Sequence, residues 1–198
     1  MSNTIDKMGI GRLWRNGVED TSTAAEVNQL DSSANIAKMS ASTVMAASLE
    51  TYKVSTFRIG NVIETTMYID LTGAKSTTTD NDIIGDTGAC HIGQITTAVN
   101  GLVFKGSILC AEVPAGGVTD INLSQASVAT GAYDADVTGL TNYAALQTSG
   151  GAYSVGMEKV FTAWPTADYY LYLSSGAAGT AAAYTAGKII IKMYGLVA

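Results

Sequence analysis

Alternation of apolar and polar positions is clearest in residues 62–71. Ile63, Thr65, Met67, Ile69 and Leu71 interleave with Val62, Glu64, Thr66, Tyr68 and Asp70. A period of two sends successive side chains to opposite faces of a pleated strand, so this segment reads as a half-buried strand. Residues 52–59 read the same way, and Gly60-Asn61 between the two runs predicts a hairpin turn. Near the C-terminus, Ile189, Ile191 and Met193 share one face of a predicted strand over 186–195. The opposite face carries Ile190, Lys192 and Tyr194, so neither face is strictly polar. Further strands are predicted at 117–123, 128–133, 153–161 and 168–174. Residues 72–89, rich in Gly, Thr and Asp, read as a long loop around the apolar pair Ile83-Ile84.

Asn100-Gly101 is the strongest local turn signal. It lies between Ile95-Thr-Thr-Ala-Val99 and Leu102-Val-Phe104, and predicts a type I′ hairpin. That register pairs Val99 with Leu102 and Ile95 with Gly106. Extended further, it sets Cys110 opposite His91, and Cys90 opposite Ala111 on the other face.

Residues 1 to about 32 show no sustained period of 2 or 3.6. Asp20-Thr-Ser-Thr and Leu30-Asp-Ser-Ser are turn-like, and the segment reads as an extended arm. Thr23 and Glu26 have capping-box spacing, which favours a short helix near Ala24 to Leu30. Residues 34–50 fit two descriptions. Ile36, Met39, Val44 and Met45 form a helical stripe, while the Ser/Thr load suits a strand equally well. The fold expected is mainly β: an antiparallel, jelly-roll-like β-sandwich over 50–198, preceded by an arm and docking segment over 1–49.

Composition narrows the function classes. Charged residues make up 14% of the 198-residue chain, against about 25% in an average soluble protein. Close to half of the residues are Ala, Gly, Ser or Thr. Two cysteines and one histidine are too few for a disulfide-stapled scaffold or a structural zinc site. The net charge of −6 argues against a broad basic face for duplex nucleic acid. Mean hydropathy of +0.20 argues against global disorder. Apolar runs fall short of the roughly 20 residues that span a bilayer, and Met1-Ser-Asn-Thr-Ile-Asp-Lys is unlike a signal peptide. The expectation is a chain with neither nucleic-acid nor membrane partners.

Candidate chemistry is sparse. The predicted register puts Cys90 and Cys110 on opposite faces, so two reduced, buried thiols are expected rather than a disulfide. His91 facing Cys110 has the composition of a nucleophile–base dyad, but no oxyanion hole accompanies it, and a structural histidine is the preferred reading. A G-x-S-x-G elbow, a phosphate loop and a dinucleotide fingerprint are absent. Asp80, Asp82, Asp86, Asp134 and Asp136 offer oxygen ligands for calcium, yet aspartates in loops ordinarily serve turns. The expectation is no enzyme, no metal and no cofactor. The late aromatics Trp164, Tyr169, Tyr170, Tyr172, Tyr184 and Tyr194 suit core filling, a subunit interface or a sugar platform. In the arm, Trp14 between Arg12 and Arg15 is the candidate partner-binding group: an aromatic anchor flanked by arginines has the composition of an interface hot spot.

A resemblance is carried by Tyr68-Ile-Asp-Leu-Thr-Gly73, Asp82-Ile-Ile-Gly85, Ile92-Gly-Gln-Ile95 and Glu112-Val-Pro-Ala-Gly-Gly117. It continues in Tyr170-Leu-Tyr-Leu, Tyr184-Thr-Ala-Gly-Lys and Tyr194-Gly195. Over residues 52–195, but not in the arm, these phrases are similar to virion structural proteins of marine tailed phages. They are turn phrases rather than catalytic signatures. The resemblance implies a homo-oligomeric virion component, assembled in the host cytoplasm, that contacts the major capsid protein or other virion proteins. Capsid decoration is the role expected first, and a host-recognition module of a head spike or tail fibre is the alternative.

Overall fold

The computed structural model describes residues 13–15, 18–20, 53–148 and 150–197. The chain divides into two compact units, Met1–Ile36 and Ala37–Ala198. In the first, β1 (Leu13–Arg15) and β2 (Val18–Asp20) pair antiparallel, with Trp14 opposite Glu19 and Arg15 opposite Val18. The helix expected near residues 24–30, the 34–50 segment and the 49/50 boundary lie outside the described residues.

The second unit is antiparallel β throughout. β3 (Lys53–Ile59) and β4 (Val62–Asp70) form the predicted hairpin, with Ile59 opposite Val62 across Gly60-Asn61. Gly60 takes φ +58° at the first central position, as a type II′ turn requires. Next come β5 (Lys75–Ser76), β6 (Gly93–Gln94), the one-turn helix α1 (Thr97–Asn100), β7 (Leu102–Ala115), β8 (Ile121–Ala126) and β9 (Ala144–Gln147). The chain closes with β10 (Glu158–Val160), β11 (Tyr170–Ser175), β12 (Ala182–Ala183) and β13 (Ala186–Leu196). One sheet has the order β10-β7-β13-β4-β3, and a second has β6-β11-β8-β9. β12 and β5 form a small two-stranded ribbon.

The two larger sheets share one core. Met67 and Ile69 of β4, Ile108 of β7, and Ile189 and Ile191 of β13 join Ile121 and Leu123 of β8, Leu146 of β9 and Leu173 of β11. Within β13 the predicted alternation holds, with Ile189, Ile191 and Met193 buried between half-buried Ile190, Lys192 and Tyr194. In the 72–89 loop, Ile83 and Ile84 are also fully buried, as apolar residues within a polar loop are expected to be.

Three expectations need correction. Asn100-Gly101 does not close a hairpin. Thr97–Asn100 is a helical turn, capped by the Thr96 hydroxyl, which accepts from Val99 N. Both ends of the Asn100 amide are engaged: Oδ1 accepts from Thr96 N at 2.8 Å, and Nδ2 donates to Thr65 Oγ1 at 3.0 Å. Gly101 at φ +67° then turns the chain into β7, with its Cα against the Leu196 carbonyl where a Cβ has no room. As a result β7 pairs with β13 and β10 rather than with residues 95–99, and Cys110 stands opposite Ile189, not His91.

The strand expected at 128–133 is a loop holding one isolated bridge, Ala89 to Ala132. A side chain replaces the missing ladder there. Tyr172 Oη donates to Val128 O at 2.6 Å and accepts from Gly131 N at 3.3 Å. The expected strand at 153–161 shortens to Glu158–Val160, because Tyr153 and Phe161 turn into the core.

A candidate assembly surface

The residues singled out for chemistry do not gather. Cys90 and Cys110 are buried free thiols, each pushed up in pKa by burial, so they carry little thiolate at neutral pH. His91 lies edge-on to the rings of Tyr170 and Tyr172, at 5.0 and 6.4 Å between centroids. Its Nδ1 has no hydrogen-bond partner among the described residues, and burial pushes its pKa down. This is a neutral core histidine packed against aromatic rings.

The loop aspartates are spent on local structure. Asp86 pairs with Lys75 at 2.6 Å, and Asp82 accepts from Thr77 Oγ1 at 2.6 Å. Asp136 caps the short 3-10 turn Val137–Gly139, and Asp134 takes φ +66°. Among the described residues, no group of three or more His, Cys, Asp or Glu side chains converges as metal ligands do. Likewise, no described helix is long and apolar enough to cross a membrane.

The late aromatics divide. Tyr172 and Tyr184 are core residues, and Tyr184 Oη donates to Val118 O at 2.8 Å. Tyr169, Tyr170 and Tyr194 are half-buried, whereas Trp164 is 46% exposed. Of the arm candidates, Trp14 and Arg15 stand in β1, while Arg12 and the side chains of all three lie outside the described residues.

The surface that does stand out is the outward face of the five-stranded sheet. In antiparallel pairing, directly opposed residues share a face, so the register reads this surface row by row. One row is Ile59, Val62, Leu196 and Leu102, and the next is Phe57, Glu64, Tyr194 and Lys105. A small polar row follows, Ser55, Thr66, Lys192 and Ser107, with Val160 at its end. Beyond it lie Tyr68, Ile190 and Leu109, then the charged row Asp70, Lys188 and Glu112. Phe57 is 64% exposed, Ile59 69%, Leu102 56% and Val160 58%, and Tyr68 and Leu196 are each 46%.

Two details shape this face. Ala111 is an extra residue of β7 between Cys110 and Glu112, a bulge that breaks the register. Where the small side chain stands, a shallow hollow of about 280 Å³ opens between Tyr68, Asp70, Ala111, Lys188 and Ile190. Several charges of the face are engaged within it: Lys188 with Glu112, Lys192 with Glu64 at 3.8 Å, and Lys105 Nζ over the Tyr194 ring at 5.6 Å. β3 forms one edge of the sheet, and no described strand covers it. An open edge beside exposed Phe57 and Ile59 favours pairing with another chain.

Sequence reasoning found Ile190, Lys192 and Tyr194 on this face but missed Ile59, Leu102 and Leu109. Their coplanarity depends on pairings between distant segments. No family model matches the chain, and no curated protein or solved structure matches it significantly.

Proposed function

We propose that this chain is a non-enzymatic structural subunit that decorates and stabilises the capsid lattice of a tailed phage. The observation that carries the reading is the outward face of the five-stranded sheet, whose apolar rows would remain wet in an isolated domain. Burying apolar surface is the main driving force for association, and a rigid sheet presents it without an ordering cost. The turn phrases over 52–195 that are similar to virion structural proteins point the same way. Cys90, Cys110 and His91 suit a structural role, since each is buried and burial disfavours its charged form. The partners proposed are the major capsid protein or other virion proteins, together with further copies of the chain, and the site of action is the virion. Many weak contacts repeated over a lattice add through avidity.

The alternative, a host-recognition module on a spike or fibre, draws on Trp164 and half-buried Tyr169. It loses Tyr172, which is fully buried and hydrogen-bonded inside the domain. Quantifying the chain in purified particles of the encoding phage separates the two. Hundreds of copies per particle are expected. A handful, confined to vertices or tail, transfers the proposal to host recognition, and absence from the particle contradicts both.

A further inference from the structure

The sheet face that carries the proposed assembly role also points to its first partner. We propose that this face is an isologous dimer interface, covered by the same face of a second copy related by a two-fold axis. The inference rests on the reading of the chain as an assembly subunit, and names the surface and the occupant.

Three features of the face argue for a second copy. The first is charge. Among the described side chains, by register, the face holds Lys105, Lys188 and Lys192 against Glu64, Asp70, Glu112 and Glu158, within one charge of neutral. Most of the chain's net charge of −6 therefore lies elsewhere, and this nearly neutral face is where two like-charged copies meet with little repulsion.

The second is the order of the rows. Two mainly apolar rows, Ile59-Val62-Leu196-Leu102 and Tyr68-Ile190-Leu109 with Glu158 at its end, flank the two mixed rows that hold Glu64 and Lys192. A two-fold axis lying along the rows, between those of Glu64 and Thr66, exchanges the members of each pair. Each apolar row then covers the other apolar row of the second copy. Leu196 faces the hollow beside Ile190, and Glu64 comes within one strand spacing of Lys192 of the second copy. Self-complementarity of this kind is what an isologous interface requires.

The third is continuity. The face runs without interruption to the open edge of β3, where Phe57 and Ile59 are the most exposed apolar side chains of the sheet. A face-to-face partner covers them, whereas another strand added to the β3 edge leaves the Leu102 and Leu109 end bare.

Light scattering on the full chain across a dilution series tests the proposal. The expected mass is twice 20.4 kDa, falling to one chain on dilution. Ile59→Glu, at an exposed site, is expected to abolish the dimer while leaving the thermal melt in place. Glu64→Lys and Lys192→Glu are each expected to raise the dissociation midpoint about tenfold or more, because each sets like charges across the axis. The double variant is expected to restore it. A chain monomeric at every concentration overturns the proposal, including the case where residues 1–52 of the same chain occupy the face. A dimer indifferent to Ile59→Glu overturns it as well, and a double variant no better than the singles overturns the two-fold arrangement. Failure here is distinct from failure of the capsid reading. A monomer still found on particles removes only this interface, and a dimer absent from particles removes only the capsid role.

Discussion

The two faces of the five-stranded sheet differ by one residue of offset along each strand. Inward, Met67, Ile69, Ile108, Ile189, Ile191 and Met193 have essentially no exposure and meet the second sheet. Outward, Tyr68 and Leu196 are exposed, and Leu109 and Ile190 are half-buried. Both faces are rich in apolar side chains, and the centre of the inner one is almost wholly so. The outer face interleaves its apolar rows with paired charges and short hydroxyls, a mixture suited to being wet at one time and covered at another. An inner-face residue thus contributes to folding, and an outer-face residue to association.

The largest expected effect lies on the inner face. Ile191→Ala removes buried methyl groups from a close-packed site and should cost about 2–5 kcal/mol in a denaturant melt. The folded fraction should still associate normally. Next comes the seam where α1 meets β7. Gly101→Ala forces a left-handed backbone on a side chain that meets the Leu196 carbonyl, and should cost about 1–3 kcal/mol by the same measurement. Leu196 also belongs to the outer face, so this variant is expected to weaken association too, and an unchanged dimer would separate the two functions of that strand end.

A smaller effect is pH-dependent. Burial holds the folded-state pKa of His91 below its ordinary value of 6.5. The unfolded chain therefore binds the proton first, and stability should fall as pH drops below about 6.5 and on through the folded-state value. Melts between pH 7.5 and pH 5 should show that decline, and His91→Phe should lose this contribution to it. The smallest expected effect on stability is on the outer face. Leu196→Ser and Ile59→Ser should each move the monomer's unfolding free energy by no more than about 0.5 kcal/mol. A loss comparable to that of Ile191→Ala would erase the distinction between the faces.

Local pattern made part of this architecture readable. The β3–β4 hairpin and the alternation of β13 are contained in short stretches, and both were legible from residues 52–71 and 186–195. The longest strand was not. β7 carries extra residues at Phe104 and Ala111, and each resets the period of two that makes a strand visible. Asn100-Gly101 misled because the same dipeptide that suits a hairpin also ends a helical turn, and only the distant Thr65 hydroxyl reveals where the amide is used. The strand expected at 117–123 lies at β8 (Ile121–Ala126), buried along its whole length with Asn122, Ser124 and Gln125 included, so its polar residues concealed where it ends. The outer face was half legible for a related reason. Ile190 and Tyr194 show on β13, but Ile59, Leu102 and Leu109 join them only through non-local pairing. The arm residues Arg12, Trp14 and Arg15 stay with the sequence reading, since their side chains lie outside the described residues.

The central claim is that the outward face is exposed in the isolated chain and covered in the assembled state. Oxidative footprinting of the full chain, dilute and then assembled, measures this residue by residue. The account predicts that Phe57, Ile59, Tyr68 and Leu196 lose most of their reactivity on assembly, while Trp164 and Val155, exposed elsewhere on the domain, keep theirs. An assembled state in which those four residues remain as reactive as in the dilute chain would contradict it.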